Sequence, residues 1–197
     1  MVISSRGEDT RSKILHTALE LFSKNGYDAT SVAEICLKSE VSKGAFYHHF
    51  PSKQDLFLAL MAGWLGELDG MLQAQAESAT DIPQAIENMA GVSGNVFDAL
   101  EGGFPILLEF WTQAKRQPEI WKRAVEPYRS YLFYFAEVIR IGKSQDAFAE
   151  DLDPKLAARM LMGVAMGLLL QASFDPEGAD WQEVTRSGIK LLLNGMR

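Results

Sequence analysis

The chain is short of the residues that most often build reactive sites. Its 197 residues include one cysteine and three histidines. A single cysteine, Cys36, excludes an internal disulfide, and it reads as a small buried hydrophobe in a reducing compartment. His48 and His49 are adjacent on what reads as a helix, so their side chains diverge by about 100° and do not readily share a metal. There is no Gly-x-Ser-x-Gly elbow, no His-Glu-x-x-His, no phosphate-cradling glycine loop and no Cys/His ligand spacing. These absences argue against an enzyme and against a resident metal or cofactor. The N-terminus, MVISSRGEDTRSK, lacks the apolar run of a signal peptide. The longest uncharged apolar run, Met160 to Leu170, is too short for a membrane span of about 20 residues. The expectation is a cytoplasmic protein without a membrane partner.

Strand signals are scarce as well, and nearly every segment carries helical periodicity. A first helix is predicted from about Asp9 to Asn25, with Ile14, Leu15, Ala18, Leu21 and Phe22 on one face and Gly26 as its stop. A short second helix starts at Thr30 or Ser31, where Ser31 and Glu34 have capping-box spacing. Ser39-Glu40-Val41 forms the turn, and Ser42 opens a third helix. Pro51-Ser52 then interrupts the chain before a long helix to about Glu77, roughly 37 Å in length. Further helices are expected near 82–101, 104–116, 118–143, 154–173 and 180–195, with Pro127 kinking or splitting the third of them. The predicted fold is all-α. A three-helix head with a helix-turn-helix plan occupies residues 1–52, and a long helix joins it to a larger helical body over residues 53–197.

Charge divides along the same line. The net charge of -7 disfavours a general nucleic-acid binder. Residues 1–54, however, carry 7 Lys and Arg against 6 Asp and Glu, whereas residues 55–197 carry 12 against 20. A DNA-reading tip on an acidic body would be repelled everywhere except at that tip.

The segment VSKGAFYHHF, residues 41–50, is odd as ordinary core. Glycine inside a helix costs about 1 kcal/mol relative to alanine, yet Gly44 sits there. Phe46 and Phe50 lie one turn apart and face inward, while Gly44, Ala45 and His48 fall opposite, flanked by Lys43, Tyr47 and His49. A solvated helix of an α-bundle is one reading of this face. The other is the second helix of a helix-turn-helix, which enters the major groove of DNA. Gly44 and Ala45 then allow close approach, Lys43 reaches guanine or phosphate, and Tyr47 and His48 supply donors. Thr30 and Ser31 at the start of the second helix, and Lys53 at the start of the long helix, are natural phosphate seats.

The stretches TRSKILHTALELFSKNGYDATSVAEI and VSKGAFYHHFPSKQDLFLAL, together with total length and helix count, resemble the TetR family of one-component transcriptional regulators. The resemblance implies a homodimer whose two heads bind a near-palindromic double-stranded DNA operator, and a body that takes a small-molecule effector. Carried over, the base-contacting candidates are Lys43, Gly44, Ala45, Tyr47 and His48, beginning at Ser42. The phosphate candidates are Thr30, Ser31, His49 and Lys53. Many members of the family have alanine-glycine where this chain has Ser39-Glu40, so a retained left-handed conformation would fall on Glu40.

The body is rich in large apolar residues, which read either as core or as the lining of an adaptable pocket. The resemblance implies a pocket, for which the candidates are Trp64, Leu68, Met71, Phe97, Phe104, Leu108, Trp111, Tyr128, Tyr131, Phe135 and Met162. Glu109, Gln113 and Arg129 could supply its polar contacts. The segment 160–170 is apolar all around, as a helix covered on two sides would be. Met160, Gly163, Val164, Gly167 and Leu168, with Trp181, Ile189 and Leu192, are read as a dimer interface; a central helix of a monomer is the alternative. The function read from these features is that of a repressor released from its operator by a small, largely apolar effector. The alternatives are a DNA-binding regulator controlled through a protein partner, and an α-helical enzyme.

Overall fold

The helices start where the sequence supplies an acceptor for their free amides. The computed structural model describes residues 4–98 and 103–197, with side chains for residues 7–92 and 105–197. Among these residues there are nine helices: α1 (Ser4–Asn25), α2 (Val32–Lys38), α3 (Lys43–His49), α4 (Lys53–Glu77), α5 (Ile82–Asp98), α6 (Gly103–Ala114), α7 (Pro118–Ser144), α8 (Pro154–Phe174) and α9 (Trp181–Asn194). The hydroxyls of Ser31 and Ser42 accept from the amides of Glu34 and Ala45 to cap α2 and α3. Asp153 and Asp180 do the same for α8 and α9. At the start of α4, Ser52 Oγ accepts from Asp55 N at 3.0 Å and donates to Asp55 Oδ2 at 2.6 Å. Gly26 ends α1 with φ +85°, its amide donating to Phe22 O.

Two expectations are corrected. Helix α1 begins at Ser4 rather than near Asp9. Pro127 does not split the segment that contains it: α7 is one helix of 27 residues. A proline removes one ladder hydrogen bond, at about 3 kcal/mol, and the rest of a helix this long still holds.

The chain forms two compact units, Met1–Trp64 with Ala99–Ala124, and Leu65–Asp98 with Val125–Arg197. The first contains α1 to α3, the start of α4, α6 and the start of α7. Its core is built from Ile14, Ala18 and Phe22 of α1, Ile35 of α2, Phe46 and Phe50 around α3, and Leu56 and Phe57 of α4, all buried. Phe110 of α6 stacks on Phe57 with ring centroids 4.2 Å apart, and Tyr27 meets both rings edge-on. The core of the second unit gathers Ile86 of α5, Ile139 of α7, Phe148, Ala157 and Leu161 of α8, and Ile189, Leu193 and Met196 at the C-terminus.

Candidate nucleic-acid interface

Helix α3 has only seven residues, too few to hold itself together in water. It is held by the Ser42 cap and by Phe46 and Phe50, which are 0% and 2% exposed. The opposite face is bare: Ser42, Lys43, Gly44, Tyr47 and His48 are exposed, and Ala45 and His49 are half-buried. The Tyr47 ring stands edge-on to Phe46 at 5.3 Å, with half of its surface exposed. A Cβ built on Gly44 would meet only Ser42 Oγ, at an ordinary 3.8 Å. Nothing inside the protein therefore requires glycine at this position.

The turn before α3 has the left-handed residue anticipated from the sequence, Glu40 at φ 55°. Its carboxylate accepts from Lys13 Nζ at 3.0 Å, which holds the acid below its usual range through that hydrogen bond and the charge behind it. Ser39 is buried, its hydroxyl donating to Ile35 O at 2.6 Å.

Of the expected phosphate contacts, Thr30 is corrected and Lys53 has partners inside the protein. Thr30 is fully buried, and its hydroxyl donates to Leu21 O and Gly26 O, so it locks the turn instead of facing outward. The Lys53 ammonium donates to Tyr27 O at 2.8 Å, Thr30 O at 2.9 Å and Asp28 O at 3.3 Å, and lies 4.4 Å from the centre of the Tyr27 ring. A lysine with three carbonyl acceptors is a tie rather than a free cation. Partial burial lowers its pKa despite the nearby charges of Asp28 and Glu109. Ser31 remains exposed at the start of α2.

The pocket candidates fall in both units. Trp64, Leu108 and Trp111 belong to the first, where Trp64 meets Phe57 edge-on at 5.7 Å. Leu68, Met71, Tyr128, Tyr131, Phe135 and Met162 belong to the second, and all six are half-buried. There Tyr131 donates to Asp69 Oδ1 at 2.6 Å; burial and that bond push its hydroxyl pKa up. The side chains of Phe97 and Phe104 lie outside those described. Glu109 and Gln113, two of the residues that could have supplied polar contacts to a pocket, are bonded to the turn after α1. Glu109 Oε2 accepts from Tyr27 N at 2.8 Å, and Gln113 Nε2 donates to Asp28 Oδ2 at 3.1 Å.

Helix α8 is covered on one side and bare on the other. Ala157, Ala158 and Leu161 are buried, whereas Met160 and Gly163 are exposed. Arg159, Met160, Gly163, Val164, Gly167, Leu168 and Gln171 line an open, largely apolar groove. Of the residues assigned to the interface, Ile189 is corrected: it is 3% exposed and belongs to the core, with Leu192 and Val164 packed against the same cluster. Trp181 is half-buried, its indole N–H donating to Asp175 O. Exposed Leu156, Phe174 and Leu191 were missed. Carrying the spacing outward from Met160 would have found two of them. Leu156, Met160, Gly163, Gly167, Leu170 and Phe174 alternate four and three residues apart, the stripe of a helix that meets another helix. The whole of α8 is long and apolar enough to cross a membrane, with a mean hydropathy of 1.5 over its best window. The apolar stretch therefore reaches beyond the 160–170 run, which by itself is too short to span.

Two family models match the sequence: bacterial regulatory proteins of the tetR family over residues 14–60, and the C-terminal part of BetI-type transcriptional repressors over residues 105–193. Over 194 residues the chain is 21% identical to the HTH-type transcriptional regulator UidR of Escherichia coli, covering 98% of this chain and 96% of that one. Over 51 residues it is 53% identical to the regulator QacR of Staphylococcus aureus, covering 26% and 27% of the two chains. The structure is similar to that of the fatty acid degradation regulator FadR from Bacillus halodurans, with a TM-score of 0.78 at 21% identity, covering 95% of this chain and 96% of that one. Matched at both ends by models of regulators and along its length by a regulator, the chain belongs to the TetR family of helix-turn-helix transcriptional regulators and is not an enzyme.

Proposed function

We propose that this regulator is a cytoplasmic homodimeric repressor that leaves a near-palindromic operator when a small, largely apolar effector binds its body. The bare face of α3, opposite buried Phe46 and Phe50, carries the reading. In it, residues 1–52 are the DNA-binding domain and residues 53–197 the effector and dimerisation domain. Lys43, Gly44, Ala45, Tyr47 and His48 face the base edges, and Ser31, Ser42 and His49 face the backbone. The repressor assignment draws on the C-terminal family model, which describes repressors.

The unfilled side of α8 supports pairing with a second copy. Two glycines on its bare face, Gly163 and Gly167, have no atom within 4 Å of a built Cβ, so a partner helix can approach closely. Pairing of this face with itself, rather than insertion into lipid, accounts for the alternating four-and-three spacing. The half-buried Leu68, Met71, Tyr128, Phe135 and Met162 support an apolar effector. To move the dimer from 99:1 DNA-competent to 1:99, an effector must favour the released form by about 5.5 kcal/mol.

Selection of binding sites from random duplex DNA with the purified protein, followed by a thermal-shift screen of hydrophobic compounds, tests the proposal. A recovered inverted repeat, and a compound that both raises the melting temperature and lowers operator affinity, are expected. Recovery of no enriched sequence would overturn the DNA-reading assignment. A stabilising compound that leaves operator binding unchanged would overturn the release step.

A further inference from the structure

We propose that Glu109, together with Gln113, is a positioning residue for DNA reading: it fixes from α6 the turn out of which α2 and α3 are launched. The inference rests on the DNA-reading assignment given above.

The turn from Gly26 to Thr30 reverses the chain between α1 and α2, and its polar backbone groups are clamped from two sides. Its carbonyls are taken by the Lys53 ammonium at the start of α4. Two of its amides, those of Tyr27 and Asp28, point at one carboxylate oxygen of Glu109, at 2.8 and 3.3 Å. One helical turn further along α6, Gln113 holds the Asp28 side chain. The backbone is shaped to admit the carboxylate. Gly26 has φ +85°, and a Cβ at that position would come within 3.0 and 3.1 Å of the two Glu109 oxygens. The conformation calls for glycine, and a side chain there would push the Glu109 carboxylate back by a few tenths of an ångström. Below this polar clamp the stacked rings of Phe110 and Phe57, with Tyr27 edge-on to both, tie α6 to the same turn through the core.

What gives this clamp a regulatory meaning is where α6 belongs. Residues 105–193 match a C-terminal repressor model, so by sequence α6 is part of the body. By packing it is part of the first unit, with α1, α2 and α3. Glu109 is therefore a body residue whose hydrogen bonds close the head. A displacement of α6 must either carry the 26–30 turn with it or break these bonds, and in both cases α2 and α3 lose their fixed departure point.

The test compares wild type, Glu109→Gln, Glu109→Ala and Gln113→Ala for binding to the selected operator and to an unrelated duplex of equal length. Backbone amide exchange of Tyr27 and Asp28 is followed by NMR. Glu109→Ala is expected to lower operator affinity about tenfold. Binding to the unrelated duplex and its salt dependence should be unchanged, since no phosphate contact is removed, and the two amides should exchange faster. Glu109→Gln keeps a carbonyl acceptor and should fall between wild type and Glu109→Ala, which guards against an alanine variant that folds poorly. An alanine variant with exposed amides and wild-type operator affinity would overturn the positioning role while leaving the regulator reading intact. A wild-type protein that prefers no duplex would overturn that reading first, and this one with it.

Discussion

The ammonium of Lys13 lies 3.0 Å from the carboxylate of Glu40, the residue whose backbone turns left-handed between α2 and α3. A strained backbone and an exposed ion pair thus meet at one position. Glu40→Gly removes both, and because glycine adopts this conformation freely the denaturant midpoint should rise or stay level. Glu40→Gln keeps the strain and loses the charge, so its midpoint should fall slightly. A clear loss of stability in the glycine variant would mean that the ion pair dominates the turn.

The reading face is tested most sharply at Gly44, because the fold leaves room there. Gly44→Leu should stabilise α3 by up to about 1 kcal/mol through helix propensity. Operator affinity should nonetheless fall to the non-specific level, about 10³-fold or more, because the side chain stands between helix and groove. In Lys43→Ala, a lost phosphate contact would weaken all sequences alike and reduce the salt slope by about one unit, whereas a lost guanine contact would cost about 1–3 kcal/mol at one base pair. Titration of operator and scrambled duplex at several salt concentrations separates these outcomes.

For the proposed interface, Gly167→Arg is the informative change. A Cβ built at this position meets nothing within 4 Å beyond its own stretch of helix, and the position lines the open groove of the protomer. Between two α8 helices it places paired like charges in an apolar seam. Multi-angle light scattering should report a monomer or aggregate. An intact, soluble dimer would remove α8 from the interface.

Tyr27 is 1% exposed, and its hydroxyl has no hydrogen-bond partner among the described residues. Burial pushes that hydroxyl's pKa up. An unpaired buried hydroxyl costs about 1–3 kcal/mol. Tyr27→Phe should therefore leave thermal stability unchanged or raise it, and Tyr27→Ala, which empties the space between Phe22, Phe57 and Phe110, should lower it by about 3–5 kcal/mol.

Acid stability should depend on Asp55. Burial by itself would raise this carboxyl, but hydrogen bonds from Ser52 and Arg123, and the charge of the latter, hold it below its ordinary 3.8. A depressed acid stabilises the fold above its unfolded pKa and loses that contribution as pH falls through the folded value. Asp55→Asn should cost about 1 kcal/mol at pH 7 and flatten the decline of stability below about pH 4. An unchanged acid limb in chemical denaturation would show that the Ser52–Asp55–Arg123 set is not coupled to folding.

What the sequence disclosed and what it hid divide along physical lines. Helix positions came from caps and breaks in the immediate neighbourhood, such as Ser42, Asp180 and Gly26, and the bare face of α3 followed from a period of 3.6 residues. The internal partners of Thr30 and Lys53 are not legible in the sequence, because they are backbone carbonyls brought near by the turn and no pattern of residue types announces those. Glu109 and Gln113 lie more than 80 residues from the amide and carboxylate they engage. Such pairs depend on tertiary packing alone. Ile189 was assigned outward because an apolar residue on an amphipathic helix looks the same whether its neighbour belongs to its own chain or to another.

Helix α3 is seven residues long, a rise of about 10 Å. Base pairs follow one another every 3.4 Å, so a reader of that length faces about three of them. In the proposed dimer two copies would spell a word of about six letters, which chance repeats roughly once in four thousand positions, against some 10⁶–10⁹ competing sites in a genome. The address must hold more than the word. The missing letters are a distance, the gap between the two half-words, together with the stiffness of the DNA that fills it. On the proposed reading, a regulator with so short a helix in the groove would measure as much as it reads, and an alteration that moved one head by a single base pair would erase the address without touching a contact.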